Sequence, residues 1–177
     1  MKNYLLLVLA MTTVSLQAAV ADIVQGASPN EQLWQELNQG LGFVNRVREL
    51  IRLGADVNGY NKGKTPLIAA IGANDVPLAK LLLVKKANTE LPQIGNGIRP
   101  LHAAVQVGNP DMVKLLLQYK ADIQSKDSNK RSPLDWAEYA LQTKDISGFE
   151  GNLELATVAR RTVLEMLEAA RKQQQEK

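Results

Sequence analysis

His102 is the residue with the most chemical potential in this sequence, because it is the only histidine in a chain of 177 residues that has no cysteine. A histidine can act as a general base, a pH-sensitive group or a metal ligand. No serine or aspartate near His102 forms a recognisable nucleophile motif with it. The lack of cysteine also excludes thiolate nucleophiles, thiolate metal sites and disulfides. The sequence therefore offers little support for a histidine-dependent reaction.

Two other features have the composition of a functional site without its pattern. Gly95-Asn96-Gly97 lacks the lysine and the following serine or threonine of a phosphate-binding loop, and Asn-Gly favours a tight turn. The acidic residues Asp56, Asp122 and Asp127 are spread along the chain and do not cluster as calcium ligands do. We predict no catalytic residue, no metal site and no cofactor, so the chain is expected not to be an enzyme.

The elements around these residues repeat along the chain. The proline in a Pro-Leu pair recurs at positions 66, 100 and 133, at spacings of 34 and 33 residues. A second landmark, a leucine-rich run that ends in alanine, recurs with alanines 55, 87 and 121 at spacings of 32 and 34. Two landmarks with a common period near 33 indicate stacked repeats, none of which can bury its apolar face alone.

Each repeat carries signals for two helices. Proline at the first helical turn costs no hydrogen bond, and Thr65 or Ser132 just before it can cap the helix. Ala103 and Ala104 are small enough for close approach of neighbouring helices. Leucines and valines at helical spacing then mark a second, buried helix, and Gly54 suits its left-handed end.

These residues resemble the ankyrin repeat over about residues 31–141. The segments that carry the resemblance are Pro100-Leu101-His102-Ala103-Ala104, Gly108, Leu115-Leu116-Leu117 and Gly54-Ala55-Asp56-Val57-Asn58. The resemblance implies an all-α repeat fold, an ankyrin-repeat solenoid of helix-turn-helix units with short β-hairpin fingers between them. It also implies that His102 bonds to nearby backbone and fixes a hairpin.

We interpret residues 30–170 as four units. Their expected bounds are about 30–58, 59–90, 91–124 and 125–170. The first is an N-terminal cap with Trp34 in the place of the proline. The fourth carries a polar insertion, 142–152, followed by an extended C-terminal helix, and residues 171–177 are expected to be a polar fraying tail.

Residues 1–21 have the pattern of a secretory signal peptide, with Lys2, an apolar run and the small-x-small site Ala19-Val20-Ala21. We expect cleavage after Ala21, a linker at 22–29 and a net charge of +2, since Lys2 is the only charge removed from +3. The alternative is an uncleaved anchor, which the short, interrupted apolar run disfavours. A cysteine-free exported domain suits a periplasm, although other secretory compartments stay open. No stable membrane insertion of the mature chain is expected.

Partners of ankyrin proteins commonly bind the fingers and inner helices, so the resemblance implies a protein-binding surface there. The second finger is the longest, and Ile94 and Ile98 make its exposed tip apolar. The alternative is that these isoleucines fold back onto the stack. The insertion is a competing site. Nucleic acid is a poor partner, because the basic residues lack interleaved aromatic ones. The candidate binding residues are Tyr60, Asn61, Lys62, Lys64, Ile94, Asn96, Ile98, Gln106, Ser128, Asn129, Arg131 and Tyr139.

The expected function follows from the predicted export and from the resemblance to ankyrin repeats. The chain resembles small exported bacterial ankyrin proteins of the immunity or self-protection type. This resemblance implies a periplasmic, non-catalytic monomer that binds and inhibits an exported or periplasmic enzyme. The target would be a cell-envelope hydrolase acting on peptidoglycan or phospholipid. The alternative is a periplasmic scaffold or accessory factor that supports another enzyme, for example in oxidative-stress defence.

Overall fold

A computed structural model of the chain describes residues 27–38, 44–142 and 153–176. The expected signal peptide and residues 143–152 of the expected insertion lie outside these ranges. The chain divides into two compact units, Met1–Asp56 and Val57–Lys177, each described by itself below. The described residues form eight helices and no strand longer than a single bridge. The helices are α1 (Pro29–Asn38), α2 (Val44–Arg52), α3 (Pro66–Gly72), α4 (Val76–Val84), α5 (Pro100–Val107), α6 (Pro110–Gln118), α7 (Pro133–Gln142) and α8 (Leu153–Gln175).

In the first unit, α1 packs against α2 around Leu33, Trp34, Val47 and Leu50, which are all buried. The N-terminal end of α1 is stabilised by a capping box. The Ser28 N–H donates to the Glu31 carboxylate at 2.7 Å, and the Glu31 N–H donates to the Ser28 hydroxyl at 3.3 Å.

The prediction that Trp34 occupies the place of the repeat proline is wrong. Pro29 is the first residue of α1, and Trp34 lies in the middle of this helix. The expected linker 22–29 therefore ends one residue too late. The physical reason is that Ser28 and Pro29 provide both a cap and a preset first turn, which outweighs the register suggested by the aromatic residue.

In the second unit, the helices form two rows. The inner helix α5 contacts α3 on one side and α7 on the other, and the outer helix α6 contacts α4 and α8 in the same way. Ala70, Ala104 and Ala137 recur on the three inner helices and are almost completely buried. Small side chains at this position allow the inner helices to approach closely, as the repeat pattern predicts. The all-helical repeat architecture is confirmed.

The expected end of the fourth unit needs two corrections. Gln142 belongs to α7 and not to an insertion, and the expected polar tail from Arg171 is helical as far as Gln175. The sequence after Leu167 contains no glycine or proline and is rich in Ala, Arg, Lys, Gln and Glu, which are strong helix formers. The polarity of this segment therefore does not end α8.

The second helix of successive repeats ends in the same left-handed backbone conformation, although the residue type differs. Gly54, Lys86 and Lys120 all have a positive φ, of 102°, 69° and 62°, at the residue that ends the second helix of successive repeats. In each case the N–H of the following alanine bonds to the carbonyl five residues earlier, as in a Schellman motif. Glycine takes this conformation without strain, whereas lysine does not.

Replacement of Lys86 or Lys120 by glycine is therefore expected to stabilise the protein. The expected gain is roughly 0.5–1 kcal/mol in the free energy of unfolding for each change, because relief of left-handed strain exceeds the entropy cost of glycine. Urea unfolding measures it. Lys85→Gly is the control, since Lys85 has a φ of −84° and its replacement is expected to destabilise. An equal response of Lys85 and Lys86 would contradict this account.

No helix within the described residues combines the length and the apolar character that crossing a bilayer requires.

Candidate functional site

Three connecting segments project from the helices of the second unit, and we call them finger 1 (residues 58–65), finger 2 (residues 88–99) and finger 3 (residues 122–132). Each is closed by short backbone bonds. In finger 1, Asn61 and Lys64 exchange two N–H···O bonds of 3.0 Å. In finger 2, the Gln93 N–H donates to the Ile98 carbonyl at 2.7 Å. In the described residues the fingers are tight turns with one isolated bridge, shorter than the expected hairpins.

Neighbouring fingers are joined to one another through the backbone. The Ile94 N–H donates to the Gly63 carbonyl at 2.8 Å, and the Ser128 N–H donates to the Asn96 carbonyl at 3.1 Å. Gly97 makes the second contact possible, because a Cβ atom there would lie 2.7 Å from the Ser128 nitrogen. The three fingers therefore form one hydrogen-bonded array, which we call the finger row.

Tyr60 adds a side-chain link between the first two fingers. Its hydroxyl donates to the Pro92 carbonyl at 2.8 Å, while the ring stays 41% exposed. An exposed ring held in one orientation loses little entropy when a partner covers it.

His102 connects the inner helix α5 to finger 3. Its Nε2 lies 2.9 Å from the carbonyl oxygen of Arg131 and must carry a proton to donate to it. The imidazole is fully buried, and it lies in a T-shaped arrangement with the Trp136 ring, with the centroids 6.0 Å apart. The expectation that His102 bonds to backbone and fixes a finger is confirmed.

The buried Asp127 carboxylate accepts hydrogen bonds that hold the backbone of finger 3. One carboxylate oxygen accepts the N–H groups of Asn129 and Arg131 at 2.9 and 2.8 Å, and the other accepts the Trp136 indole N–H at 3.0 Å. The Arg131 guanidinium lies 3.4 Å from the same carboxylate and 4.9 Å from the centre of the Trp136 ring. Burial opposes ionisation of Asp127, but these hydrogen bonds and the Arg131 charge outweigh it and lower the pKa of the carboxyl group. The residue is therefore structural.

His102 makes stability depend on pH. Burial lowers the pKa of its imidazole, against smaller opposing effects of the Arg131 carbonyl and the charges of Asp127 and Glu90, while Arg99 acts with burial. Because the unfolded histidine binds a proton more readily than the folded one, its stabilising effect is full above the unfolded pKa of ~6.5 and is lost as the pH falls from there through the lower pKa of the folded state.

We expect the Tm to fall as the pH is lowered from about 7.5 to about 5.5, a window in which free carboxyl groups stay ionised. Thermal melts at both pH values measure this change. His102→Gln, which retains a donor for the Arg131 carbonyl, is expected to show a smaller fall. A pH dependence that is identical in wild type and variant would contradict the assignment.

The candidate binding residues divide into two groups. One group is exposed, and Ile94 is the most exposed of its large apolar side chains at 65%. It comprises Tyr60, Lys62, Lys64, Ile94, Gln106, Ser128, Asn129 and Tyr139. The other group is half-buried and comprises Asn61, Asn96, Ile98 and Arg131.

Members of the half-buried group have structural tasks. The Asn96 side chain accepts the Ile98 N–H at 3.1 Å, and Arg131 is held by Asp127 and Trp136. The exposed residues of fingers 1 and 2 are brought together by the finger row. Gln106 and Tyr139 lie on α5 and α7, the inner helices that directly follow fingers 2 and 3.

The exposed residues of the three fingers offer a contact surface. Across residues 27–38, 44–142 and 153–176, no group of three histidine, aspartate or glutamate side chains is placed to hold a metal ion. Asp127, whose pKa is shifted, points at Trp136 and the finger backbone. An exposed row of turns supported by buried anchors is suited to recognition of another macromolecule.

Comparison with known proteins agrees with this geometry. A family model described as ankyrin repeats (3 copies) matches residues 74–146. An ankyrin repeat protein of Fowlpox virus (strain NVSL) is 37% identical over 98 residues, which cover 54% of this chain and 16% of the viral protein. The chain thus spans about one sixth of the length of that relative. Residues 74–146 are thus similar to ankyrin repeats, which are protein–protein interaction modules.

Proposed function

We propose that this chain is a non-catalytic, exported protein that binds another protein through the finger row and inhibits a cell-envelope hydrolase. The observation that carries the proposal is the finger row itself, in which backbone bonds between fingers hold the exposed Ile94 side chain in place. An apolar side chain at the centre of a preorganised surface is the usual anchor of a protein interface.

The charge of the fingers supports an acidic partner. Lys62, Lys64 and Lys130 are exposed on the outer fingers, on either side of the apolar finger 2. Charged residues at the rim of an interface steer association and contribute mainly to the on-rate. A negatively charged rim around an apolar pocket, as at the mouth of an enzyme cleft, would complement this arrangement.

The compartment in the proposal rests on the signal-peptide pattern of residues 1–21 and on the lack of cysteine. Expression of the full chain in a Gram-negative host tests it. We expect a soluble periplasmic protein whose N-terminal residue is Asp22, as measured by intact mass after osmotic shock. Recovery of the uncleaved chain in the membrane pellet would contradict export as a free protein.

The target is tested by affinity capture from a periplasmic extract. Wild-type protein is the bait and an unrelated periplasmic protein is the control bait, so that a genuine partner is retained by the first and is absent from the second. The captured enzyme is then assayed with and without the protein. Loss of its hydrolytic activity supports inhibition. Unchanged or increased activity would reject inhibition and favour the alternative of an accessory or scaffold role.

A further inference from the structure

The outer helices of the second unit carry a surface that the finger row does not use. Every cation on α4, α6 and the turns that end them is a lysine, and all of them are exposed. The aspartates of these segments lie at the opposite, N-terminal ends of the helices, Asp75 as a cap and Asp111 in the first turn. We call the surface formed by Lys80, Lys85, Lys86, Lys114 and Lys120 the lysine face.

The lysines of the lysine face recur at equivalent positions in adjacent repeats. Lys80 and Lys114 are 34 residues apart, as are Lys86 and Lys120, so each pair occupies equivalent positions in adjacent repeats. Contacting helices lie roughly 8–10 Å apart, so the two lysines of each pair stem from neighbouring outer helices. None of the five lysines is in an ion pair within the part of the chain that the structure describes.

Fold stability does not account for these lysines. Lysine near a helix C-terminus complements the helix dipole, but Lys80 and Lys114 lie in the middle of their helices. Lys86 and Lys120 occupy left-handed positions, where Gly54 stands in the preceding repeat and where glycine is favoured. Residues held in an unfavourable conformation point to a function for the side chain.

Apolar groups are exposed among the lysines. Val84 is 58% exposed and Tyr119 is 38% exposed, and both line the same shallow depression beside Lys86. Tyrosine has an apolar ring and a polar tip, which suits the boundary between water and a bilayer. Lysine carries a hydrated point charge, unlike arginine, which dominates in the specific recognition of carboxylates and in protein interfaces.

We propose that the lysine face binds an anionic phospholipid surface, with the lysines at the headgroup phosphates and with Val84 and Tyr119 at the interface. Lysine near an anionic membrane is attracted by the surface potential, and the attraction is screened by salt. This surface lies on the outer helices, so it leaves the finger row free, and the proposal does not depend on the proposed function.

Co-sedimentation with vesicles tests the proposal, and the protein used starts at Asp22. We expect binding to vesicles that contain phosphatidylglycerol, a steep loss of binding with added salt, and little binding to phosphatidylcholine alone. The test variant is Lys86→Gly with Lys120→Gly. It is expected to raise the Tm and to weaken vesicle binding about thirty-fold, as the loss of two lysines at an anionic surface implies. Improved stability with weaker binding cannot be explained by unfolding.

The finger row provides a matched control. Lys62→Gly with Lys130→Gly also removes two lysines at positive φ, of 47° and 61°, and changes the net charge equally. This variant is expected to bind vesicles as the wild type does. Equal weakening by both double variants would overturn the proposal in favour of a general effect of net charge. Failure of the wild type to bind phosphatidylglycerol vesicles at low salt would also overturn it.

Discussion

Replacement of Ala104 by aspartate is expected to cost several kcal/mol in the free energy of unfolding, a large part of the total stability of such a domain. Ala104 has no exposed surface, and its helix α5 packs between α3 and α7. An aspartate there buries a charge without a partner and separates the inner helices. Urea unfolding, monitored by circular dichroism, measures the loss.

Gln106→Asp is the matched control for this change. It places the same carboxylate on the same helix, two residues further on, where the side chain is exposed. Its effect is expected to remain within about 0.5 kcal/mol, as for most surface substitutions. A small effect at Ala104, comparable to that at Gln106, would show that the assigned repeat register is wrong.

Asp127→Ala is expected to destabilise by about 3 kcal/mol, because it leaves the Trp136 indole N–H and the backbone of finger 3 without their acceptor. Thermal and urea unfolding measure this loss. The same change is expected to weaken partner binding, since finger 3 is one of the surfaces that the Asp127 side chain shapes.

Two variants make this prediction specific. Asp122→Ala is the matched control, because Asp122 is exposed and its side chain accepts one backbone bond, from the Gln124 N–H at 2.9 Å. The expected cost is about 1 kcal/mol or less. Asp127→Asn keeps one acceptor oxygen and is expected to fall between the two alanine variants. If Asp122→Ala costs as much as Asp127→Ala, the central role of Asp127 is excluded.

Much of the fold follows from local chemistry that can be read in the sequence. Thr65 caps α3 through its bond from the Ile68 N–H at 3.3 Å, and Gly54 has the left-handed conformation with a φ of 102°, both as predicted. These features are predictable because capping and left-handed helix ends depend on one or two residues of characteristic type. The same logic could have placed the start of α1, where Ser28, Pro29 and Glu31 form a complete capping signature.

Other features depend on contacts that no local pattern encodes. Lysine is disfavoured in the left-handed region, so the positive φ of Lys86 and Lys120 follows only from the requirement that each repeat turn at that point. Polar composition alone also failed to predict that α8 continues to Gln175.

The exposure of the tip of finger 2 also depends on contacts that no local pattern encodes. Ile94 and Ile98 are identical in type and close in sequence, yet Ile94 is 65% exposed and Ile98 is half-buried. The difference arises from hydrogen bonds between fingers, from Ile94 to Gly63 and from Ser128 to Asn96, which set the orientation of the tip. Residues of neighbouring fingers lie about one repeat apart in sequence, so these pairings are not visible in either finger alone.

The central claim, that the finger row is the protein-binding surface, is tested most directly by measuring the affinity of Ile94→Asp for the captured partner by calorimetry. Val84→Asp is the matched control, since both positions expose an aliphatic side chain, at 65% and 58%, and only Ile94 lies in a finger. We predict that Ile94→Asp weakens binding by more than about 2 kcal/mol, roughly thirty-fold, while Val84→Asp leaves it unchanged. Full affinity of a folded Ile94→Asp variant would contradict the account.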